Sequence, residues 1–225
     1  MLSKLSKKFN LSEIVDQVKN LGNFKRVELN SPSGNFFTDK WVIKPEFINT
    51  PIGNVLAHFD NIGQARLLCL ESGESYTAHT DPDDRIHLAI TTNDYSFLVD
   101  INDNVLYHLP ADGELWYMDT SKTHVATNWG PTSRIHLNIR VLLPKFDPAK
   151  KGIYLKIENG DFSWKQDSYI ELMGFINKQI KAKSITGFHS PNERELYLNC
   201  EQPEIFEPVI NNIRLRNVDI VTKQI

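Results

Sequence analysis

The chain has 225 residues, 40% apolar and 24% charged, with a formal charge of −3; this is enough for one main hydrophobic core and ordinary for a soluble globular protein. The slight acidity gives no basic field to draw in nucleic acid, and two cysteines, Cys69 and Cys200, exclude a disulfide framework and a Cys-rich zinc site, which fits a reducing cytoplasm. No apolar run approaches the roughly 20 residues that span a bilayer, and the basic start MLSKLSKKFN leads into no apolar stretch, so neither secretion nor a mitochondrial presequence is supported.

The first predicted element is a helix over Leu11 to Leu21, with Leu11, Ile14, Val15, Val18 and Leu21 on one face and Gly22 as its stop. Ser31 to Lys44 carries Pro32 and Gly34 and reads as a turn followed by a strand. Pro51 to Phe59 is a second helix candidate, ended by Asn61 and Gly63. From Gln64 the apolar period changes to two. Predicted strands are Ala65–Glu71, Tyr76–Thr80, Arg85–Thr91, Ser96–Ile101, Val105–Leu109, Glu114–Asp119, His124–Asn128 and Arg134–Leu143, separated by turn-like clusters such as Asp81–Asp84 and Gly130–Ser133. Short strands with regular turn signals predict a mainly β fold with flanking helices, a jelly roll or double-stranded β-helix of the cupin-like kind, rather than βαβ units. After Pro144 the pattern breaks: Ser168 to Ile180 is amphipathic, and the rest reads as a mixed helical cap. The expected organisation is a helical or mixed segment over 1–63, a catalytic core over 64–144 and the cap over 145–225, with no linker marking the cap as a separate domain.

Two hexapeptides nearly repeat, RIHLAI (Arg85 to Ile90) and RIHLNI (Arg134 to Ile139). Side chains alternate along a strand, so Arg85 and His87 share one face and Ile86, Leu88 and Ile90 the other; Arg134, His136, Asn138 and Arg140 likewise oppose Ile135, Leu137, Ile139 and Val141. The aliphatic faces require burial, against helices or the opposite sheet. The Arg/His faces then line a polar cavity.

The segment Tyr76-Thr-Ala-His79-Thr-Asp81-Pro82 contains His-x-Asp, whose side chains, two residues apart on a strand, can hold adjacent corners of one metal ion. His124 opens a later predicted strand and is the best third ligand. Two neutral imidazoles and a carboxylate leave three octahedral positions open, an arrangement suited to Fe(II) oxygen chemistry. Arg134, ten residues beyond His124, offers a planar fork for a co-substrate carboxylate in a dry cavity.

In order and spacing, His79-x-Asp81, His124 and Arg134, with Arg85-x-His87 between them, resemble the aspartyl/asparaginyl β-hydroxylase-related 2-oxoglutarate oxygenases, a group that includes bacterial free-proline hydroxylases. The resemblance covers Ala65 to Leu143. It implies an Fe(II)- and 2-oxoglutarate-dependent dioxygenase using O2, with iron on His79, Asp81 and His124 and the distal carboxylate of 2-oxoglutarate on Arg134. It further implies that His87 helps hold the co-substrate and that Arg85 lies near the co-substrate or the acidic end of the substrate. Asp81, which the animal aspartyl hydroxylases lack, and Leu68, where their pattern has a serine, point toward the bacterial amino-acid hydroxylases. The expected partner is therefore a small carboxylate-bearing molecule, a free amino acid or its derivative, with neither nucleic acid nor membrane involved.

Arg85, Asn128, which shares the parity of His124, and Trp116, as an apolar wall, are the candidate substrate contacts; sheet packing is the alternative for Trp116. Asp119 is either an orienting partner of a ligand histidine or a turn residue. The competing functions are hydroxylation of an Asp, Asn or Pro side chain in a protein or peptide, a cupin-type metal enzyme that does not use 2-oxoglutarate, and a non-enzymatic ligand-binding jelly roll.

Overall fold

The computed structural model describes residues 2–163 and 166–225. The N-terminal segment contributes β1 (Leu2–Lys8), α1 (Leu11–Asn20), β2 (Arg26–Glu28), the hairpin β3 (Asn30–Pro32) and β4 (Trp41–Ile43), and α2 (Pro51–Ala57). α1 ends at Gly22, whose φ of +72° suits a residue without a side chain. α2 starts where the Thr50 hydroxyl accepts from the Gly53 amide at 3.1 Å, with Pro51 in the first turn.

Eight strands then follow: β5 (Ile62–Leu70), β6 (Glu74–Ser75), β7 (Arg85–Thr91), β8 (Ser96–Asp100), β9 (Val105–Tyr107), β10 (Glu114–Met118), β11 (His124–Asn128) and β12 (Arg134–Val141). Their chain passes between two antiparallel sheets, one ordered β1-β10-β7-β12-β5-β2 and the other β6-β11-β8-β9. Leu70, Ala89 and Met118 of the larger sheet pack with Leu98 and Ala126 of the smaller, so the two face each other across a shared interior. This is the predicted jelly roll.

β7 and β12 are neighbours, with Arg140 opposite Arg85 and Asn138 opposite His87. The aliphatic faces of the two repeats are buried outside the roll, where Leu88, Leu137 and Ile139 meet Ile14, Val18, Ile52, Val55 and Leu56 of the two N-terminal helices. Each such buried side chain contributes roughly 1.5–3 kcal/mol, so the helices fix which face of the sheet turns inward.

Three elements differ from expectation. β1 has mostly charged or small residues and pairs only at the sheet edge, against β10; lysine-rich edges resist further pairing but carry little periodic signal. The expected strand Tyr76–Thr80 does not form: β6 stops at Ser75, and within that range only an isolated bridge between His79 and His124 remains. The expected helical cap contains four strands, β13 (Gly152–Asn159), β14 (Ile185–Asn192), β15 (Glu195–Cys200) and β16 (Asp219–Gln224), in one antiparallel sheet ordered β14-β15-β13-β16. This sheet is backed by α3 (Asp167–Lys181) and α4 (Glu207–Arg214) around Leu155, Leu172, Ile176, Phe188, Leu198, Phe206 and Ile213. Among the described residues, no helix is long and apolar enough to cross a membrane.

Candidate active site

His79 and His124 exchange backbone hydrogen bonds, His79 N–H to His124 carbonyl at 3.0 Å and the reverse at 2.8 Å. The pair sets their rings 4.5 Å apart. Each Nδ1 lies within hydrogen-bonding distance of a backbone carbonyl two residues earlier, Thr77 at 2.8 Å and Lys122 at 2.9 Å. A carbonyl can only accept, so Nδ1 carries the proton in both rings and the Nε2 lone pairs are the ones left for a ligand. Those Nε2 atoms lie 3.8 Å (His79) and 3.7 Å (His124) from Asp81 Oδ2. Ligand atoms of the three residues all fall within 4.8 Å of one another. Burial draws the His124 pKa down to about 4, so the ring is neutral near pH 7, as metal binding requires. Burial works the other way on Asp81, but Arg85 and then the two histidines more than offset it and hold the carboxyl well below its ordinary range.

Asp81 divides its two oxygens: Oδ1 accepts from Arg85 Nη2 at 2.8 Å while Oδ2 faces the histidines. Arg85 also meets Asp83 Oδ1 at 2.7 Å and the Asp83 carbonyl at 2.7 Å. Asp83 in turn takes a two-pronged contact from Arg140, at 2.5 and 2.6 Å. Arg85, a candidate substrate contact, has its charge answered within the chain by Asp81 and Asp83.

The loop Thr80–Asp84 is held from outside by α3. Asn177 Nδ2 donates to the Asp81 carbonyl at 3.0 Å and to Asp84 Oδ1 at 3.1 Å, and the Thr80 hydroxyl donates to the Ile170 carbonyl at 2.5 Å. Gly174 permits this approach, since a Cβ there would stand 2.9 Å from the Ser121 carbonyl oxygen. Asp84 is tied to Tyr117, Thr120 and Lys181 as well. Asp119 accepts from the Ser121 amide and hydroxyl and pairs with Lys181. It is a turn residue; the rings of His79 and His124 are oriented by backbone carbonyls.

Inside the roll, a chamber of about 60 Å³ is bounded by His79, Asp81 and His124 on one side and by Arg134, His136, His87 and Asn138 on the other. Arg134 is 2% exposed, its Nη2 donates to His136 Nδ1 at 2.9 Å, and among the described residues no carboxylate lies against it. Burial pulls its pKa down to about 10. Asn138 Nδ2 donates to His87 Nε2 at 3.1 Å. His87 Nδ1, His136 Nε2 and Asn138 Oδ1 are buried without a partner among the described residues. Burial and the neighbouring Arg134 keep both imidazoles far below their ordinary pKa, hence neutral, and each turns one N–H inward. Unsatisfied buried polar groups cost roughly 1–3 kcal/mol each, and a buried guanidinium without an anion costs more. The donor set therefore suits a carboxylate.

The chamber opens beside the Thr80–Asp84 loop into an outer cavity of about 1090 Å³, bordered by Phe36, Phe37, Tyr76, Tyr169, Arg66 and Arg140 among others. Neither space is lined by Trp116 or Asn128, which corrects both expectations. Trp116 packs on the Leu98–Met118 cluster between the sheets. The Asn128 amide is fully used: it accepts from Asn93 and Ser96 and donates to the carbonyls of Leu70 and Thr132, pinning the turn before β12. His136 borders the chamber, as the alternation along β12 leads one to expect, whereas Arg66, Tyr76 and Tyr169 border the cavities although sequence pattern gave little sign of it: Arg66 reads as one polar residue within the apolar run of β5, and Tyr169 comes from the C-terminal sheet-and-helix unit.

Residues 46–144 match the family model described as aspartyl/asparaginyl beta-hydroxylase. The matched segment runs from before α2 through all eight strands of the roll and includes His79, Asp81, His124 and Arg134. Among solved structures, that of a Pseudomonas putida prolyl-4-hydroxylase is similar at 12% sequence identity and a TM-score of 0.43, over 63% of this chain and 91% of that one.

Proposed function

Taking the roll as the core of an aspartyl/asparaginyl β-hydroxylase-like protein, we propose that this chain is an Fe(II)- and 2-oxoglutarate-dependent dioxygenase. Its reaction is hydroxylation of an unactivated carbon of a small carboxylate-bearing substrate, a free amino acid or a derivative. The observation that carries the reading is one chamber with two kinds of wall: a His79–Asp81–His124 donor set on one sheet, and on the other a buried Arg134 with no carboxylate among the described residues, flanked by two neutral imidazole N–H groups.

The donor set fits iron by its chemistry, two nitrogens and one oxygen with three positions left over. The facing wall fits a keto acid, because Arg134 can grip a distal carboxylate while His87 and His136 donate along its length. Bound iron, 2-oxoglutarate and O2 together supply the oxidising power: one oxygen atom enters the substrate C–H bond and the other enters succinate as CO2 leaves. The residues of the chain orient and exclude. Arg85 fixes the Asp81 carboxylate, the Thr77 and Lys122 carbonyls fix the histidine tautomers, and α3 clamps the loop. Leu68, Leu98, Met118 and Ala126 keep the chamber walls apolar between these groups.

The outer cavity, about 1090 Å³, lies at the top of the range for ligand pockets, roughly 300–1,000 Å³. That size favours a second reading, in which the carboxylate belongs to a peptide side chain or terminus. One screen separates these. The protein is supplied with Fe(II), 2-oxoglutarate and O2 and offered free amino acids, N-acyl amino acids and short acidic peptides. The expected result is gain of one oxygen by one class, with succinate formed in equal amount. Oxygen gain without succinate would instead identify a metal oxygenase that does not use 2-oxoglutarate.

A further inference from the structure

Five guanidiniums border the two cavities, and three of them are answered by carboxylates: Arg85 by Asp81 and Asp83, Arg140 by Asp83, and Arg26 by Glu28. The remaining two, Arg134 and Arg66, form no ion pair with a carboxylate among the described residues; Glu28, the cross-strand partner of Arg66, is taken by Arg26 and Gln64. They differ in position. Arg134 borders only the inner chamber, whereas Arg66 borders both the chamber and the outer cavity. We propose that Arg66 is the receptor for the carboxylate of the prime substrate; this rests on the oxygenase reading above and moves the anion site from Arg85 to a neighbouring strand.

The side chain is held for this. Gln64 donates from Nε2 to Glu28 Oε2 at 3.0 Å, which turns its Oε1 to accept from Arg66 Nη1 at 3.2 Å. Among the described residues, no other hydrogen bond engages the Arg66 guanidinium, and its Nε is buried without a partner. With Nη1 taken, the edge formed by Nε and Nη2 remains, the edge whose spacing matches the two oxygens of a carboxylate. In the register of the larger sheet, Arg66 stands opposite Asn138, and Asn138 opposite His87. An anion on Arg66 is thereby placed on the outer side of the groups assigned to the co-substrate. Burial, followed by the charges of Arg85, Arg26 and Arg140, depresses the Arg66 pKa to about 10, so a bound anion relieves repulsion as well as desolvation.

The probe is acetate, with acetamide as its uncharged match and sodium chloride at equal ionic strength as the control. Thermal unfolding of the full chain is followed with Mn(II), a redox-quiet stand-in for iron, and saturating 2-oxoglutarate. Acetate is expected to raise the midpoint saturably in wild type and acetamide not to. In Arg66→Met the acetate affinity is expected to fall roughly tenfold or more, with Arg66→Lys intermediate, while 2-oxoglutarate affinity by calorimetry stays within about threefold of wild type. The proposal is overturned if acetate does no more than chloride, if Arg66→Met responds like wild type, or if Arg66→Met loses 2-oxoglutarate as Arg134→Met does. Absence of 2-oxoglutarate binding in wild type would remove the oxygenase reading; acetate titration of the Mn(II) protein, Arg66→Met against Arg134→Met, then still decides whether Arg66 is the anion site. Should Arg66→Met lose its fold by circular dichroism, Arg66→Lys carries the comparison, and wild-type acetate affinity there would overturn the proposal.

Discussion

Replacing His124 by Ala is expected to weaken Fe(II) binding by more than roughly a hundredfold, given that loss of merely an orienting partner costs 10–100-fold, and to leave the protein folded. The backbone of His124 pairs with His79 through its own N–H and carbonyl, and those bonds survive the substitution. What disappears is one of three donors, together with the ring that His79 faces at 4.5 Å. Asp81 keeps Arg85 as its partner, so its charge is not stranded. The fold has little reason to fail: the imidazole is not part of the apolar clusters, and its one side-chain hydrogen bond is to the Lys122 carbonyl. Metal titration monitored by calorimetry, with circular dichroism on the same samples, checks both halves. Wild-type affinity in the variant would show that the third ligand lies elsewhere.

Arg134→Lys is expected to lower 2-oxoglutarate affinity by about 10- to 100-fold, the equivalent of losing one charge-assisted hydrogen bond of roughly 1.5–3 kcal/mol, with metal affinity nearly unchanged. The guanidinium does two things at once: Nη2 donates to His136 Nδ1, which fixes that ring's tautomer, and the remaining donors face the chamber. An ammonium group keeps the charge but cannot hold the ring and present a fork together. The Lys variant should therefore also loosen His136. Calorimetric titration of 2-oxoglutarate into the Mn(II)-loaded variant is the measurement. If the variant binds as well as wild type, another cation is the anchor; Arg85 and Arg140 are committed to Asp81 and Asp83, which leaves Arg66.

Much of this site is legible from local pattern because a strand repeats every two residues. β7 and β11 begin and end where alternation places them, and the two Arg/His hexapeptides turn their polar faces inward because their aliphatic faces have helices to meet. His79-x-Asp81 and His124 converge because the four strands between them, β7 to β10, return the chain to β11, where an isolated bridge joins His79 to His124. Which carboxylate answers which cation is a different matter. Asp81–Asp84 has the composition of a solvated turn, yet α3, nearly a hundred residues on, covers it and drives Asp83 and Asp84 into burial. Without that contact Arg85 looks like a spare cation. Asn128 shares the parity of His124, but parity gives a direction and not a vacant partner, and the turn at Asn93 and Thr132 takes the whole amide. The C-terminal strands are broken by bulges, with register shifts in both the β13–β16 and β14–β15 pairs, which blurs the period that would reveal them.

In the proposed reaction the His79–Asp81–His124 centre and Arg134 act together on a keto acid. Isotopically labelled 2-oxoglutarate, incubated with O2 and the Fe(II)-reconstituted protein in the absence of any prime substrate, tests it most directly, because uncoupled turnover needs no knowledge of the substrate. Labelled succinate is expected from wild type, dependent on both iron and O2, with His124→Ala and Arg134→Met close to the protein-free blank. Succinate formation by His124→Ala at the wild-type rate would contradict the account, as would an iron-loaded wild type that neither binds nor consumes 2-oxoglutarate.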